Sequence, residues 1–268
     1  MFVRFAHERF LLEYVQDIRR VNPGIGGEKL WLMYKQFFGT EYRLGRDAFL
    51  CVLKENQLML RRRKRGVRTT DSSHGLPVYP DLVHDLLLTR CNQVWVSDIT
   101  YVGTTQGFCY LSIVTDAYSH EIIGWCVAPT LEASYTLDAL KTVGKRLDDN
   151  SEYLIHHSDR GVQYASLLYT SFLKERHIAI SMTQSGNPKD NAIAERINGI
   201  LKTEVLNHCL FEDIEQVRQK VAQAIGFYNH QRPHRSLDMM TPIQAREKTG
   251  MIKKRWRCYK DNYRQSAK

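Results

Sequence analysis

The sequence predicts an α/β core built on a mixed sheet, preceded by a small all-α unit. Residues 94–182 divide into β-branched and aromatic runs, three in succession across short turns and two more alternating with helical stretches, the order of strands that share one sheet. Ahead of them, three runs carry apolar side chains at spacings of three and four, with breaks at Asn22-Pro23-Gly24 and Gly39, where helices stop. Charge divides along the same lines: the net +9 of the 268 residues falls as +7 over 1–80, −1 over 81–91, −5 over 92–212 and +8 over 213–268. An acidic centre attracts divalent cations, and basic flanks attract a polyanion.

Composition narrows the classes. With 43% hydrophobic and 25% charged residues, the chain has the make-up of a folded globular protein. No run of about 18 apolar residues suggests a spanning helix. Met1 to Phe10 carries Arg4, Glu8 and Arg9 without the apolar stretch of a signal peptide, so the expected location is the cytoplasm or the nucleoid, with no membrane partner. Cysteines 51, 91, 109, 126, 209 and 258 form no Cys-x-x-Cys pair and are expected as reduced thiols, without structural zinc.

In chain order, the first helix is expected over 6–20, with Phe10, Leu11, Tyr14, Val15 and Ile18 on one face. A second follows over Gly27 to Phe38 (Leu30, Met33, Tyr34, Phe37) and a third over Arg46 to Asn56 (Phe49, Val52, Leu53), leaving Arg46 and Lys54 outside. Residues 1–60 thus read as a helix-turn-helix unit that either binds DNA or packs as a three-helix module. Arg61, Arg62, Arg63, Lys64 and Arg65 are five consecutive cations that cannot pack together without a counterion. They open a basic linker over 61–91, with a short helix expected at Asp81 to Leu88. The core, 92–250, is expected as strands 94–102, 107–115 and 121–128, helix 132–147, strand 153–158, helix 166–176, strand 178–182 and helix 191–207. A long helix over 213–229 follows, then a basic turn, Asn229 to Arg235, presenting Arg232 and Arg235, and a basic tail over 251–268 in which Trp256 and Tyr259 stand among cations, a composition that suits backbone contact and stacking.

Three acids stand out by position. Asp98 falls in the middle of the first strand, where a lone carboxylate is costly to bury unless a cation meets it. Asp159 ends the fourth strand just before Gly161, at a strand terminus where ligand sites gather. Glu195 lies on a helix whose buried stripe is Ile193, Ile197, Ile200 and Leu201, and Asn191, Asn198 and Lys202 share its other face. A carboxylate, two amides and a lysine on one helical edge can hold a metal and a phosphate together. Asp190 is the expected cap of that helix. Other acids read differently: Asp116 as a turn former, Asp148-Asp149 as a solvated helix end and Glu204 as the partner of a neighbouring group. His157, two residues before Asp159 on its strand, reads as packing, or as a group supporting Asp159 or meeting DNA.

Thirty-five residues separate Asp159 from Glu195, and seven sequence words occur in a familiar order: Trp95-Val96-Ser97-Asp98-Ile99-Thr100-Tyr101, Asp116-Ala117-Tyr118-Ser119, Ile123-Gly124-Trp125, His157 to Tyr164, Gly186 to Ala192, Leu201-Lys202-Thr203-Glu204 and Tyr228 to His234. In these the chain resembles the bacterial insertion-sequence transposases of the downstream-frame (OrfB) type, with their retroviral-integrase-like acidic triad. Lys189 departs from the pattern, an aromatic residue being usual there, as does His120, where a cation is common. The resemblance implies an RNase H-like five-stranded core in which the first and fourth strands are parallel neighbours. It also implies catalysis by Asp98, Asp159 and Glu195 on two Mg²⁺ ions per site, with Mn²⁺ as a substitute. DNA contacts are then expected at Lys202, Asn191, Asn198, Arg46, Lys54, Arg61 to Arg65, Arg232 and Arg235. The implied partners are the element's terminal repeats, target DNA, further copies of the chain in the synaptic complex, and an upstream-frame helix-turn-helix partner or fusion. Two other readings stay open: an RNase H-type nuclease sharing the metal site, and a transposase-derived DNA-binding protein without activity.

Overall fold

A computed structural model describes residues 2–39, 44–60, 75–144, 153–184 and 191–253. The amino-terminal unit is three helices, α1 (Phe2–Val21), α2 (Gly27–Phe38) and α3 (Arg46–Glu55). Its core is Leu11, Val15, Ile25, Leu30, Met33, Tyr34, Phe49 and Leu53, together with Phe227 from a much later helix. The unit therefore does not close on itself.

The central sheet has strands β1 (Val94–Thr104), β2 (Gly107–Asp116), β3 (Ile122–Ala128), β4 (Ile155–Ser158) and β5 (Ala179–Met182) in the order β3-β2-β1-β4-β5. β1, β2 and β3 are antiparallel neighbours joined by tight turns, whereas β4 and β5 join in parallel, because a helix intervenes and returns the chain to the same end of the sheet. β4 pairs with β1 only over Val94 to Val96. From Ser97 onward, β1 has no strand on that side, and the functional side chains gather along this open edge.

One face of the sheet carries α4 (Ala133–Lys141), α5 (Val162–Ala165) and α6 (Leu167–Glu175), packed over Trp95, Val114, Leu154, Ile180 and Met182. Gly124 permits β3 to lie against α4, since a Cβ there would meet the Ala139 carbonyl oxygen at 2.3 Å. The other face carries α7 (Ala192–Glu204) and α8 (Ile214–His230), whose Ile197, Leu201, Val217, Val221 and Tyr228 bury Val102, Cys109, Leu111 and Ile113. α9 (Pro242–Arg246) follows, opened by a capping box at Thr241 and Gln244 that sequence reasoning does not separate from the closing segment.

The expected helix at Asp81 to Leu88 does not form. The chain there has no regular secondary structure apart from one turn, held by the Leu82 amide on Ser181 Oγ and by Pro80 accepting from the Met182 amide. Leu76 and Tyr79 pack on one apolar cluster of the core, and Val83 and Leu88 on another. The second half of the expected linker is thus bound to the core through Leu76, Tyr79, Val83 and Leu88, while Leu82, Leu86 and Leu87 stay exposed. Arg61 to Arg65, Asp148-Asp149, Asp190 and the tail beyond Lys253 lie outside the described residues. Among the described residues no helix is long and apolar enough to cross a membrane, and the five described cysteines are free thiols.

Candidate catalytic site

Asp98 follows the last pairing of β1 with β4, and Asp159 follows the last residue of β4. Parallel pairing of the two strands brings these acids to one corner, although 61 positions of sequence separate them. α7 then runs along the open edge of β1 and presents its residues in steps. Asn191 Nδ2 donates to the Ser97 carbonyl at 2.9 Å, Asn198 Nδ2 to Asp98 Oδ2 at 2.9 Å and Lys202 Nζ to Thr100 Oγ1 at 3.2 Å. Glu195 belongs to the same stripe, since positions three, four and seven apart share a helical face, and it is exposed at the rim.

The stripe corrects the expected DNA contacts. Asn191 is buried and is itself the N-cap of α7, and Asn198 is buried against Asp98, so neither amide meets solvent. Among the described residues both Oδ1 atoms are buried without a hydrogen-bond partner, as is the Tyr164 hydroxyl. Lys202 is half-buried, its ammonium 4.0 Å from the centroid of the Tyr101 ring. Arg46 and Lys54 are exposed on α3, Arg46 beside Asp47. Arg235 is exposed but pairs with Glu28.

Arg232 overturns the basic-turn expectation. It is 4% exposed, and so is His234. Its guanidinium grips Glu204 with two bonds, Nε to Oε2 at 2.8 Å and Nη2 to Oε1 at 2.6 Å. Lys29 Nζ reaches the same carboxylate at 2.8 Å and Asn22 Nδ2 at 3.1 Å. Basic residues around a proline read as a surface turn because sequence does not show the buried carboxylate that fixes them; Glu204, expected to pair with a neighbour, is that carboxylate.

The electrostatics centre on Asp98. Burial, with the Asp159 and Glu195 charges, pushes its carboxyl up to about 7, against the opposing pull of Asn198 and of the Ile99 amide on Oδ1. Asp159 is held by the Gly161 amide at 2.9 Å. Next to it Arg160 donates to the carbonyls of Thr183, at 2.6 Å, and Gln184, tying the turn to the end of β5. Sequence reasoning passed over Arg160; its signal was a lone cation directly after a strand-ending acid. Behind the acids, His156 bonds Ser97 Oγ and the Tyr169 hydroxyl, each at 2.8 Å, and burial pushes it down to about 3, so it is a neutral packing group. His157 bonds Ser181 Oγ at 2.8 Å. Asp116 accepts from the amides of Asn92, Tyr118 and Ser119, the turn former it was read as.

Among the described residues no group of three His, Cys, Asp or Glu side chains stands close enough to hold a metal ion. Asp98 and Asp159 oxygens are turned onto the chain's own donors. The donor set nonetheless fits a hard divalent cation: it is all carboxylate oxygen, and its most buried member sits where two further negative charges oppose its ionisation.

A five-stranded mixed sheet with acids just past the paired stretch of two adjacent parallel strands, and a third acid on the helix beside them, defines the integrase-core class. Two models of the family described as "Integrase core domain" match, over residues 89–188 and 176–242. The chain is 34% identical over 245 residues to a putative transposase for insertion sequence element IS986/IS6110 of Mycobacterium tuberculosis, covering 87% of this chain and 86% of that one. It is 34% identical over 244 residues to a transposase for insertion sequence element IS629 of Shigella sonnei, covering 90% and 80%. A solved simian T-cell lymphotropic virus intasome chain matches with TM-score 0.51 at 17% identity, covering 88% of this chain and 75% of that one, a likeness of fold. The protein belongs to the insertion-sequence transposases with an integrase core.

Proposed function

We propose that this transposase cuts DNA at the ends of its own element and joins them to target DNA, with Asp98, Asp159 and Glu195 as the catalytic carboxylates. The observation that carries the proposal is the stepped contact of α7 along β1: the helix bearing Glu195 is fixed to Asp98 itself through Asn198 at 2.9 Å. Asp98, Asp159 and Glu195 would hold divalent cations, two Mg²⁺ ions with Mn²⁺ as a substitute. When bound, these activate an attacking oxygen and stabilise the leaving 3′-oxygen.

The rest is the chain's own work. Asn198 orients the Asp98 carboxylate, and the Gly161 amide orients Asp159. Asn191 pins the start of α7 to the strand, so Glu195 has a fixed approach. Lys202, beside Thr100 at the edge of the site, offers a positive charge to a phosphate near the reacting end. Arg46 and Lys54, exposed on α3, and Arg61 to Arg65 supply duplex contacts. The working assembly is a homo-oligomer on DNA, with an upstream-frame helix-turn-helix partner or fusion supplying further recognition.

The test is incubation of the protein with Mg²⁺ and a labelled terminal-repeat duplex. Strand-transfer products are expected, with loss of both cleavage and joining in Asp98→Asn, Asp159→Asn and Glu195→Gln and on chelation of the metal. Near-normal joining by any of the three variants sinks the assignment.

A further inference from the structure

The β1–β2 hairpin carries two aromatic rings that stay largely exposed. Strand alternation sends Val102 and Cys109 into the core under α7 and α8, so Tyr101 and Phe108 point the other way. Tyr101 is 43% exposed and Phe108 64%. The register places Tyr101 opposite Tyr110 and Gly103 opposite Phe108, which makes the two rings diagonal neighbours, 5.5 Å apart between centroids and at 89°. Lys202 completes the patch, its ammonium 4.0 Å from the Tyr101 centroid; among the described residues it forms no ion pair.

Two large rings left in water are not needed to close this hairpin, because Val102 and Cys109 already fill its buried side. The patch also adjoins the site. Residues three apart on a strand face opposite ways, so the Tyr101 ring stands around the open edge of β1 from the Asp98 face, and Lys202 spans that edge, bonding Thr100 Oγ1 and lying over the Tyr101 ring.

We propose that Tyr101, Phe108 and Lys202 form a stacking site for an unpaired nucleobase at the DNA end, an inference that rests on the transposase reading above. Bases inside a duplex have both faces covered by their neighbours, so only a terminal or flap base offers a free face to a protein ring. Stacking on aromatic side chains is tolerant of base identity and works with a nearby cation on the backbone. The cation here is Lys202, which already shares its position with the Tyr101 ring. Such a site would hold one freed strand of the end clear of the carboxylates.

The experiment uses the full chain without divalent cation and a duplex whose unpaired terminal base is 2-aminopurine, a fluorophore quenched by stacking. The wild type is expected to quench it on binding. The double variant Tyr101→Ala/Phe108→Ala is expected to lose the quench and to bind the flapped end about tenfold or more weakly, with blunt-duplex affinity within about twofold. Tyr101→Phe/Phe108→Tyr, which keeps both rings and controls for folding, is expected to restore both. Unchanged quenching in the double variant, an equal loss on blunt duplex, or a change in oligomeric mass with quenching intact overturns the proposal. Strand transfer by the wild type with Mg²⁺ is read in parallel. Products with unchanged quenching in the double variant strike the stacking site alone, and no wild-type products strike the transposase reading.

Discussion

Asp98 is a part-buried carboxylate and Glu204 a buried one, and their surroundings push them in opposite directions. Asp98 meets an amide and two like charges. Asp98→Asn in cation-free buffer is therefore expected to raise the melting temperature by several degrees, since it keeps the shape and removes the repulsion; an unchanged or lower value in calorimetry contradicts this. Asn198→Ala removes the donor that orients Asp98 and is expected to reduce strand transfer about 10- to 100-fold, while DNA affinity in filter binding stays within about twofold. Glu204 is the reverse case. Burial alone would push it up, but the hydrogen bonds and charge of Arg232, with Lys29, bring it from 4.5 down to about 2. Its contribution to stability is thus full above about pH 4.5, shrinks as the pH falls and is gone below about 2. Glu204→Gln leaves Arg232 buried without its charge and is expected to cost about 3–5 kcal/mol at pH 7 in urea unfolding, with the deficit against wild type closing as pH falls through that window.

Helices and strands add what single residues cannot. α7 presents the Asn191, Glu195, Asn198 and Lys202 stripe to β1 and its isoleucines to α8, while its last residue anchors the amino-terminal helices. The turn between α1 and α2 sits directly on that end: Gly24 N donates to the Glu204 carbonyl at 2.7 Å, and a Cβ on Gly24 would lie 2.5 Å from Glu204 Cα. Backbone meets backbone there, so no side-chain rotation relieves the clash. Gly24→Ala is expected to lift the amino-terminal unit from α7, seen as faster proteolysis between α3 and β1; wild-type cleavage kinetics would show that the turn shifts at little cost. Truncating residues 2–58 strips Asn22 and Lys29 from Glu204 and uncovers Phe227. The remaining chain is therefore expected to unfold at lower urea than the whole protein, and an equal midpoint would mean the two units are energetically separate.

On the scale of the whole molecule, the acidic 92–212 segment lies between basic ones. Cations of the flanks that bind phosphates release counterions, so affinity for DNA is expected to fall steeply with salt. Neutralising Arg61 to Arg65 should flatten the slope of log K against log salt by up to about 0.9 for each phosphate that is no longer neutralised. An unchanged slope in a titration would return those cations to a solvated surface. The core and the amino-terminal helices nonetheless share an apolar cluster and a buried ion network, so the two units are joined more closely than the charge division by itself suggests.

The elements were legible because their signals are local. Strand runs, helical stripes and the Asn22-Pro23-Gly24 break appear where a few neighbouring side chains decide backbone conformation, and the observed strands begin and end within two residues of the expected ones. Asp98, Asp159 and Glu195 could be singled out because each sits at a position, mid-strand, strand end or polar helix edge, whose chemistry is visible one segment at a time. The contacts between segments were not legible in that way. Asn198 and Asn191 read as outward-facing amides until β1 was found to lose its neighbour at Ser97, which lets a helix edge replace a strand. Arg232 read as a surface cation until Glu204, 28 positions away, was found beneath it. By itself the sequence determined the five strands, the long helices and which acids are candidates for catalysis, because those depend on periodicity and local composition, whereas the Asp81 to Leu88 segment and α9 were decided by packing. Only the tertiary structure decided which polar groups are buried and against what, because the partner that makes a buried charge tolerable comes from a distant part of the chain.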